Sequence, residues 1–227
     1  MAKNTLKLWT DGTRQAVLSN YRTKSANRKT GDMSQLSILT EDIKPTEAIK
    51  TRQDGLICGD CPLRHGKGCY VNPMANNAQW RAVQGADVSP FPSLDHHEKG
   101  LRFGTYGDPS FIPLDKVDAW SGGVPNWTGY THAWHKVDAD YSRYFMASID
   151  GIDDKTREQA KDKGYRTFRI LSPADKLETD EVLCPNSTHG IQCADCGLCA
   201  GTSRGGKDIA IVAHGAPNKL KLWTEEK

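Results

Sequence analysis

The sequence predicts an α/β fold: an open or partial (βα) barrel with cysteine-rich metal-binding segments and an irregular N-terminal arm. Three observations predict it. From about Gly55 onward, brief apolar runs alternate with polar, helix-like stretches, and such alternation marks strand–helix units around a parallel sheet. Cys58, Asp108, His132, Asp150 and Cys184 fall at or near the ends of those apolar runs. In parallel α/β folds, functional groups gather at the carboxyl ends of strands. Finally, the seven cysteines come in two packed groups.

Residues 1–50 are polar, with short apolar patches and Pro45, and read as a weakly structured arm. Arg14, Arg22, Lys24, Arg28 and Lys29 lie there in a Ser/Thr/Asn-rich stretch, with Asp11 the only acid before Asp32. Such a segment either touches phosphate or is a solvated tail. Leu56-Ile57 leads straight into Cys58. Met74 to Gln84 has good helix formers with spaced apolar residues. Leu101 to Tyr106 reads as a strand ending at Gly107-Asp108-Pro109. Pro113 to Trp120 opens with a first-turn proline and reads as a helix. Strands are expected at Tyr130–Trp134, Phe145–Ile149, Thr167–Leu171, Glu181–Leu183 and Asp208–Ala213. Asp153 to Lys163 reads as an Asp-capped helix stopped by Gly164. Residues 51–215 form the α/β metal-binding domain, and 216–227 a strand-like tail. Leu6-Lys-Leu-Trp-Thr10 recurs as Leu220-Lys-Leu-Trp-Thr224, which suggests two strands side by side that tie the termini together.

With 227 residues and a net charge of +2, composition names no partner. No run reaches the length of a membrane span. The N-terminus lacks an apolar secretion signal, so the expected compartment is a reducing cytoplasm, where thiols stay free for metals.

The second cysteine group carries the stronger signal. Cys193, Cys196 and Cys199 follow a Cys-x2-Cys-x2-Cys spacing, with Cys184 ahead of Pro185 as a distant fourth ligand. That arrangement wraps a four-iron cluster; a zinc site and metal-free buried thiols are the alternatives. The first group supplies Cys58, Cys61 and Cys69. Three thiolates on a four-iron cluster leave one iron open. Alternatively, His65 completes Cys-x2-Cys-x3-His-x3-Cys, shorter in both gaps than the zinc knuckle that binds single-stranded nucleic acid. A third arrangement puts both groups into one shared site.

The Cys58–Cys69-Tyr70 run, Arg102 to Pro109, Thr128 to His132, Met146 to Asp150, Arg166 to Arg169 and the Cys184/Cys193–Cys199 tail together resemble a group of uncharacterised bacteriophage and prophage proteins. Their layout is similar to that of radical S-adenosylmethionine enzymes, with one cysteine cluster after the first strand, βα units, then a second cluster. The resemblance spans roughly residues 50–215 and implies S-adenosylmethionine as a ligand. Those enzymes carry Cys-x3-Cys-x2-Cys, whereas this chain has Cys-x2-Cys-x7-Cys.

Other candidates surround these groups. Asp108 either binds a ligand or serves an ordinary turn before proline. His132 is a proton carrier, metal ligand or structural residue, and His135 lies beside it among Tyr130 and Trp134. His96-His97 sits in a proline-rich loop and reads as surface. Arg169 is the expected clamp for an anion, with Arg166 pointing elsewhere. Gly201 to Asp208 nearly spells a phosphate loop, but Asp208 stands where a hydroxyl is needed. Arg204 and Lys207 there are expected to neutralise a cluster or touch an anionic ligand. The cysteines come as ligand sets, so a single cysteine nucleophile has no support.

The functional expectation is a phage-type iron–sulfur protein, a redox or radical enzyme acting on a nucleotide-like or other polar anionic substrate through Asp108, His132, Asp150 and Arg169. The alternative is a zinc-stabilised protein that binds nucleic acid or a host protein, using the basic arm and Trp127, Tyr130 and Trp134 as exposed aromatics. No membrane partner is expected.

Overall fold

The computed structural model describes residues 4–64, 67–92 and 99–226. His65 and the His96-His97 pair lie outside the described residues.

The chain opens with an antiparallel meander: β1 (Thr5–Thr10), β2 (Arg14–Ser19) and β3 (Ser34–Thr40). Asp11 makes the first turn, its Oδ1 accepting from the amides of Thr13 and Arg14 at 2.9 and 2.7 Å. All residues of β3 are buried. The weakly structured arm expected over residues 1–50 is therefore corrected. Its polar side chains lie inside and find partners there: Gln15 Nε2 donates to the Thr40 carbonyl at 3.0 Å, and Gln35 Nε2 to that of Met33 at 2.9 Å. Buried polar groups that are hydrogen-bonded are tolerated, so polar composition did not mean exposure.

Helices α1 (Pro45–Lys50), α2 (Gly55–Cys58) and α3 (Pro73–Ala82) follow, then β4 (Leu101–Arg102), α4 (Leu114–Gly122) and β5 (Trp127–Thr128). Beyond Gly129 come β6 (Tyr130–Thr131), β7 (Met146–Ile149), α5 (Arg157–Asp162), β8 (Thr167–Leu171) and β9 (Glu181–Leu183). The chain ends with α6 (Pro185–His189), α7 (Cys193–Cys196), β10 (Asp208–Val212) and α8 (Pro217–Glu226). The fold class is α/β, as read from the sequence. Thr156 caps α5 with a reciprocal bond to Gln159, in place of the expected Asp153.

Two sheets form, ordered β1-β2-β3-β4-β5 and β6-β7-β8-β10-β9. β4 pairs parallel with both β3 and β5, and every pair in the second sheet is parallel. The sheets meet at Gly129. Phe103 N donates to Thr128 O at 2.9 Å on one side, and Met146 N to Gly129 O at 3.0 Å on the other. Among the described residues no ladder joins β1 to β9, so the strands do not close into a barrel. The main core gathers Leu18, Leu36, Ile38, Phe103, Trp134 and Phe145. A smaller cluster of Met146, Cys199 and Ile209, packed by Tyr130, Phe168, Val182, Cys184 and Leu198, lies under the cysteine groups.

The expected strand-like tail is corrected to helix α8. One copy of the Leu-Lys-Leu-Trp-Thr repeat is a strand and the other is helical, so they do not pair as strands. β1 gains ladder bonds from β2, whereas the second copy follows Pro217 and anchors by Trp223 Nε1 donating to Asp150 O at 3.1 Å. Tertiary context overrides local propensity in both. No helix of the described residues is long and apolar enough to cross a membrane.

Candidate functional site

Alternation along parallel strands puts every second side chain on one face. Tyr130, Ser148, Phe168, Ile170 and Ile211 share such a face and line a cavity of about 240 Å³. Lys219, Leu220 and Trp223 of α8 form part of its wall. Cys58, Cys61 and Cys69 of the first group line it together with Cys184 and Cys193 of the second. Thiols far apart in sequence thus open on one space.

His132, Asp150 and Cys184 directly follow β6, β7 and β9. The strand-end pattern read from the sequence is present at these three. Cys58 instead ends the short helix α2.

The first group is held by a tight turn. Gly59 takes a left-handed φ of 61° after α2, and Cys69 N donates to Leu63 O at 3.0 Å. Asp60, between Cys58 and Cys61, pins this turn to the segment after β6: His135 Nε2 lies 3.0 Å and Lys136 Nζ 2.9 Å from its Oδ2. Burial opposes ionisation of Asp60, but Lys136, Lys155 and His135 hold its carboxyl below the ordinary range. His135 is therefore an anchor. Burial, then the neighbouring Cys61 and Cys69, pushes the Cys58 thiol well up, and burial likewise raises Cys69. Three adjacent thiolates repel each other in a desolvated place, so a cation is what would stabilise them there.

His132 and Asp150 converge on this group. His132 Nδ1 stands 3.3 Å from Asp150 Oδ2, an ion pair that is not aligned as a hydrogen bond. Asp150 Oδ1 accepts from Ile152 N at 2.9 Å. Burial alone would lower the histidine, but Cys61 and Asp150 outweigh it and raise its pKa well above 6.5. Asp150 is lowered despite burial, chiefly by His132.

Asp108 lines the cavity but acts as a clasp. Its Oδ1 accepts from Ser110 N at 3.0 Å and Ser110 Oγ at 2.7 Å, and its Oδ2 from the amides of His132 and Ala133 at 2.8 and 3.3 Å. The expected ligand-binding role for Asp108 is corrected, because both oxygens already hold the loop after β4 to the end of β6.

The second group is built from three directions. Cys184 N donates to Ala210 O at 2.8 Å, placing this cysteine beside β10. Cys193 N and Ala194 N donate to Lys29 O and Thr30 O at 3.0 and 2.9 Å, so the loop between β2 and β3 packs on the cysteine turn. Arg166 Nη1 donates to Leu198 O and Gly201 O at 2.9 and 2.8 Å, fixing the far side. Burial pushes the Cys199 thiol up to about 12; the Tyr130 hydroxyl opposes this, and Cys193, Cys184 and Cys196 add to it. Burial also raises Cys193, and Arg102 works against it.

Two of the three expected cations, Arg169 and Lys207, are corrected. Arg169 alternates with the cavity-facing Phe168 and Ile170, and its Nε donates to Glu181 Oε1 at 2.8 Å on the opposite face. Arg204 donates to Pro125 O and sits over the Trp127 ring, 5.7 Å from its centroid, and its Nη1 also borders Gly197 in the second cysteine turn. Lys207 Nζ donates to Thr179 O at 3.3 Å, away from the thiols. Among the described residues, Lys29, Arg102 and Lys219 bring lysine and arginine charges to the cavity. The expected exposed stacking surface is also corrected: Trp134 is 1% exposed, and Trp127 and Tyr130 are partly buried.

All seven cysteines are free. Among the described residues, no three His, Cys, Asp or Glu side chains already converge in metal-ligating geometry. In chemistry the thiol donors suit an iron–sulfur or zinc centre; holding one would require the turns to draw together. Compared with protein-family models, curated proteins and solved structures, the chain matches none.

Proposed function

We propose that this protein is a thiolate-ligated iron–sulfur protein of phage type, built as a partial barrel, and a redox or radical enzyme on a small polar anion. The observation that carries this reading is the opening of both cysteine groups on one cavity of the parallel sheet. Cys184, Cys193, Cys196 and Cys199 would hold a closed cluster. Cys58, Cys61 and Cys69 would hold a second with a ligand position toward the cavity. A bound cluster would supply one-electron chemistry at the cavity wall. The chain's own residues shape that wall: Asp60 fixes the first turn, Arg166 the second, and Asp150 orients His132 beside Cys61. S-adenosylmethionine is the ligand that the radical-type resemblance adds.

Anaerobic purification with counts of iron, acid-labile sulfide and zinc tests this. The expected product is brown and contains iron and sulfide. Cys196→Ser should lose cluster and fold stability, while Cys58→Ser should keep the fold and lose the cavity-facing centre. A colourless protein with stoichiometric zinc would replace the reading with a zinc-stabilised binding protein.

A further inference from the structure

Most buried arginines here have partners. Arg157 Nη2 reaches Asp208 Oδ2 and Asp180 Oδ1, each at 2.8 Å, Arg169 is held by Glu181, and Arg166 donates to three carbonyls. Arg102 is different. It lines the cavity, its Nε is sealed from solvent, and it has no hydrogen-bond or ion-pair partner among the described residues. A guanidinium left without an acceptor in a partly desolvated place costs free energy.

A second cation aggravates this. Lys29 lines the same cavity, its Nζ against His214. Lys29 lies near enough to Arg102 for the two charges to repel. Two like charges are held at one wall of a cavity whose floor is apolar. Tyr130 and Phe168 lie there with ring centroids 4.4 Å apart, beside Ile170 and Ile211.

We infer that Arg102 and Lys29 form an anion subsite in this cavity, taking the carboxylate or phosphate of a small organic ligand whose apolar body lies over Phe168, Ile170 and Ile211. Planar oxyanions match the guanidinium fork. The inference rests on the cavity being the functional site and names the end of it that grips the substrate. It needs no metal.

Titration calorimetry of the full chain with phenyl phosphate and with benzoate tests it, and the two probes separate a phosphate from a carboxylate site. Saturable binding of at least one is expected. Arg102→Ala should weaken it about 10- to 100-fold, with Arg102→Lys partly restoring it and Lys29→Ala weakening it less. Thermal melts and metal counts accompany each variant. If Arg102→Ala fails to fold, Lys29→Ala, on an exposed loop, decides, and unchanged affinity there overturns the inference. No saturable binding to the wild type overturns it too. So does a variant that loses metal at unchanged anion affinity, which makes Arg102 the countercharge of the thiolates. Arg102-dependent binding to a protein without metal keeps the subsite and removes the iron–sulfur reading.

Discussion

The imidazole of His132 and the carboxylate of Asp150 form an ion pair across the ends of β6 and β7, with Nδ1 and Oδ2 3.3 Å apart. Asp150 is almost sealed, its side chain 1% exposed, while His132 borders the cavity. Asp150 thus turns the ring so that one nitrogen faces the protein and the other is left for Cys61. The same residues serve a metal site and a metal-free protein differently. With metal, a carboxylate behind a histidine fixes its orientation. Without it, the pair is a buried ion pair whose fate depends on pH.

For the metal-free protein the sign is determined. The folded pKa of His132 lies above 6.5, so its contribution is fully present below 6.5 and is lost as pH rises through the raised value. The folded pKa of Asp150 lies below 3.8, so its contribution is present above 3.8 and is lost as pH falls through the lowered value. Asp150→Asn should cost about 3 kcal/mol between those limits. The gap in melting temperature from wild type should narrow at high pH. NMR of the ring should show His132 losing its proton at lower pH in the variant. An unmoved histidine titration would refute the pairing.

Asp60 makes a different prediction because it is one-third exposed. Its ion pairs with His135 and Lys136 contribute little to global stability, yet they set the spacing of Cys58 and Cys61. Asp60→Asn should leave the melting temperature within a degree or two while lowering metal affinity about 10-fold or more in chelator competition. It should also speed labelling of Cys61 by a thiol reagent. Unchanged affinity and labelling would mean that the turn holds itself.

What the sequence made legible follows from local physics. β8 was read to the residue, because Thr167–Leu171 is an apolar run closed by Ser172-Pro173. β3 was not, because Ser34, Gln35, Ser37 and Thr40 look solvated and are nonetheless buried. The cysteines, His132 and Asp150 stand out by residue type and position after apolar runs, but that His132 and Asp150 pair with each other is visible only in the fold. The sequence points to Arg169 for the anion, with Arg166 elsewhere, and gives Arg102 no role, because period-2 alternation tells which residues share a face, not which face is covered. Only the packing of α8 and the first cysteine turn over one side decides that. Lys29 lies in the basic stretch that the sequence offers for phosphate contact, but its place at the cavity is set by the packing of the β2–β3 loop on the second cysteine turn.

Gly129 joins the two sheets, its amide bonded to Cys199 O at 3.1 Å and its carbonyl to Met146 N at 3.0 Å. A Cβ there would lie 2.5 Å from Phe145 Cδ1 and 3.2 Å from Phe103 Cβ. Those two rings meet edge to face in the sealed core, 5.3 Å between centroids, so neither can swing into solvent. Gly129→Ala should therefore cost about 1–3 kcal/mol through overpacking, a drop of several degrees in melting temperature. It should also disturb the second cysteine group through Cys199, seen as faster thiol labelling. Gly122→Ala is the control: it ends α4, a Cβ there meets nothing within 4 Å, and alanine is the better helix former by up to about 1 kcal/mol. Equal melting temperatures for the two variants would show that the join between the sheets has room that the packing of Phe103 and Phe145 denies.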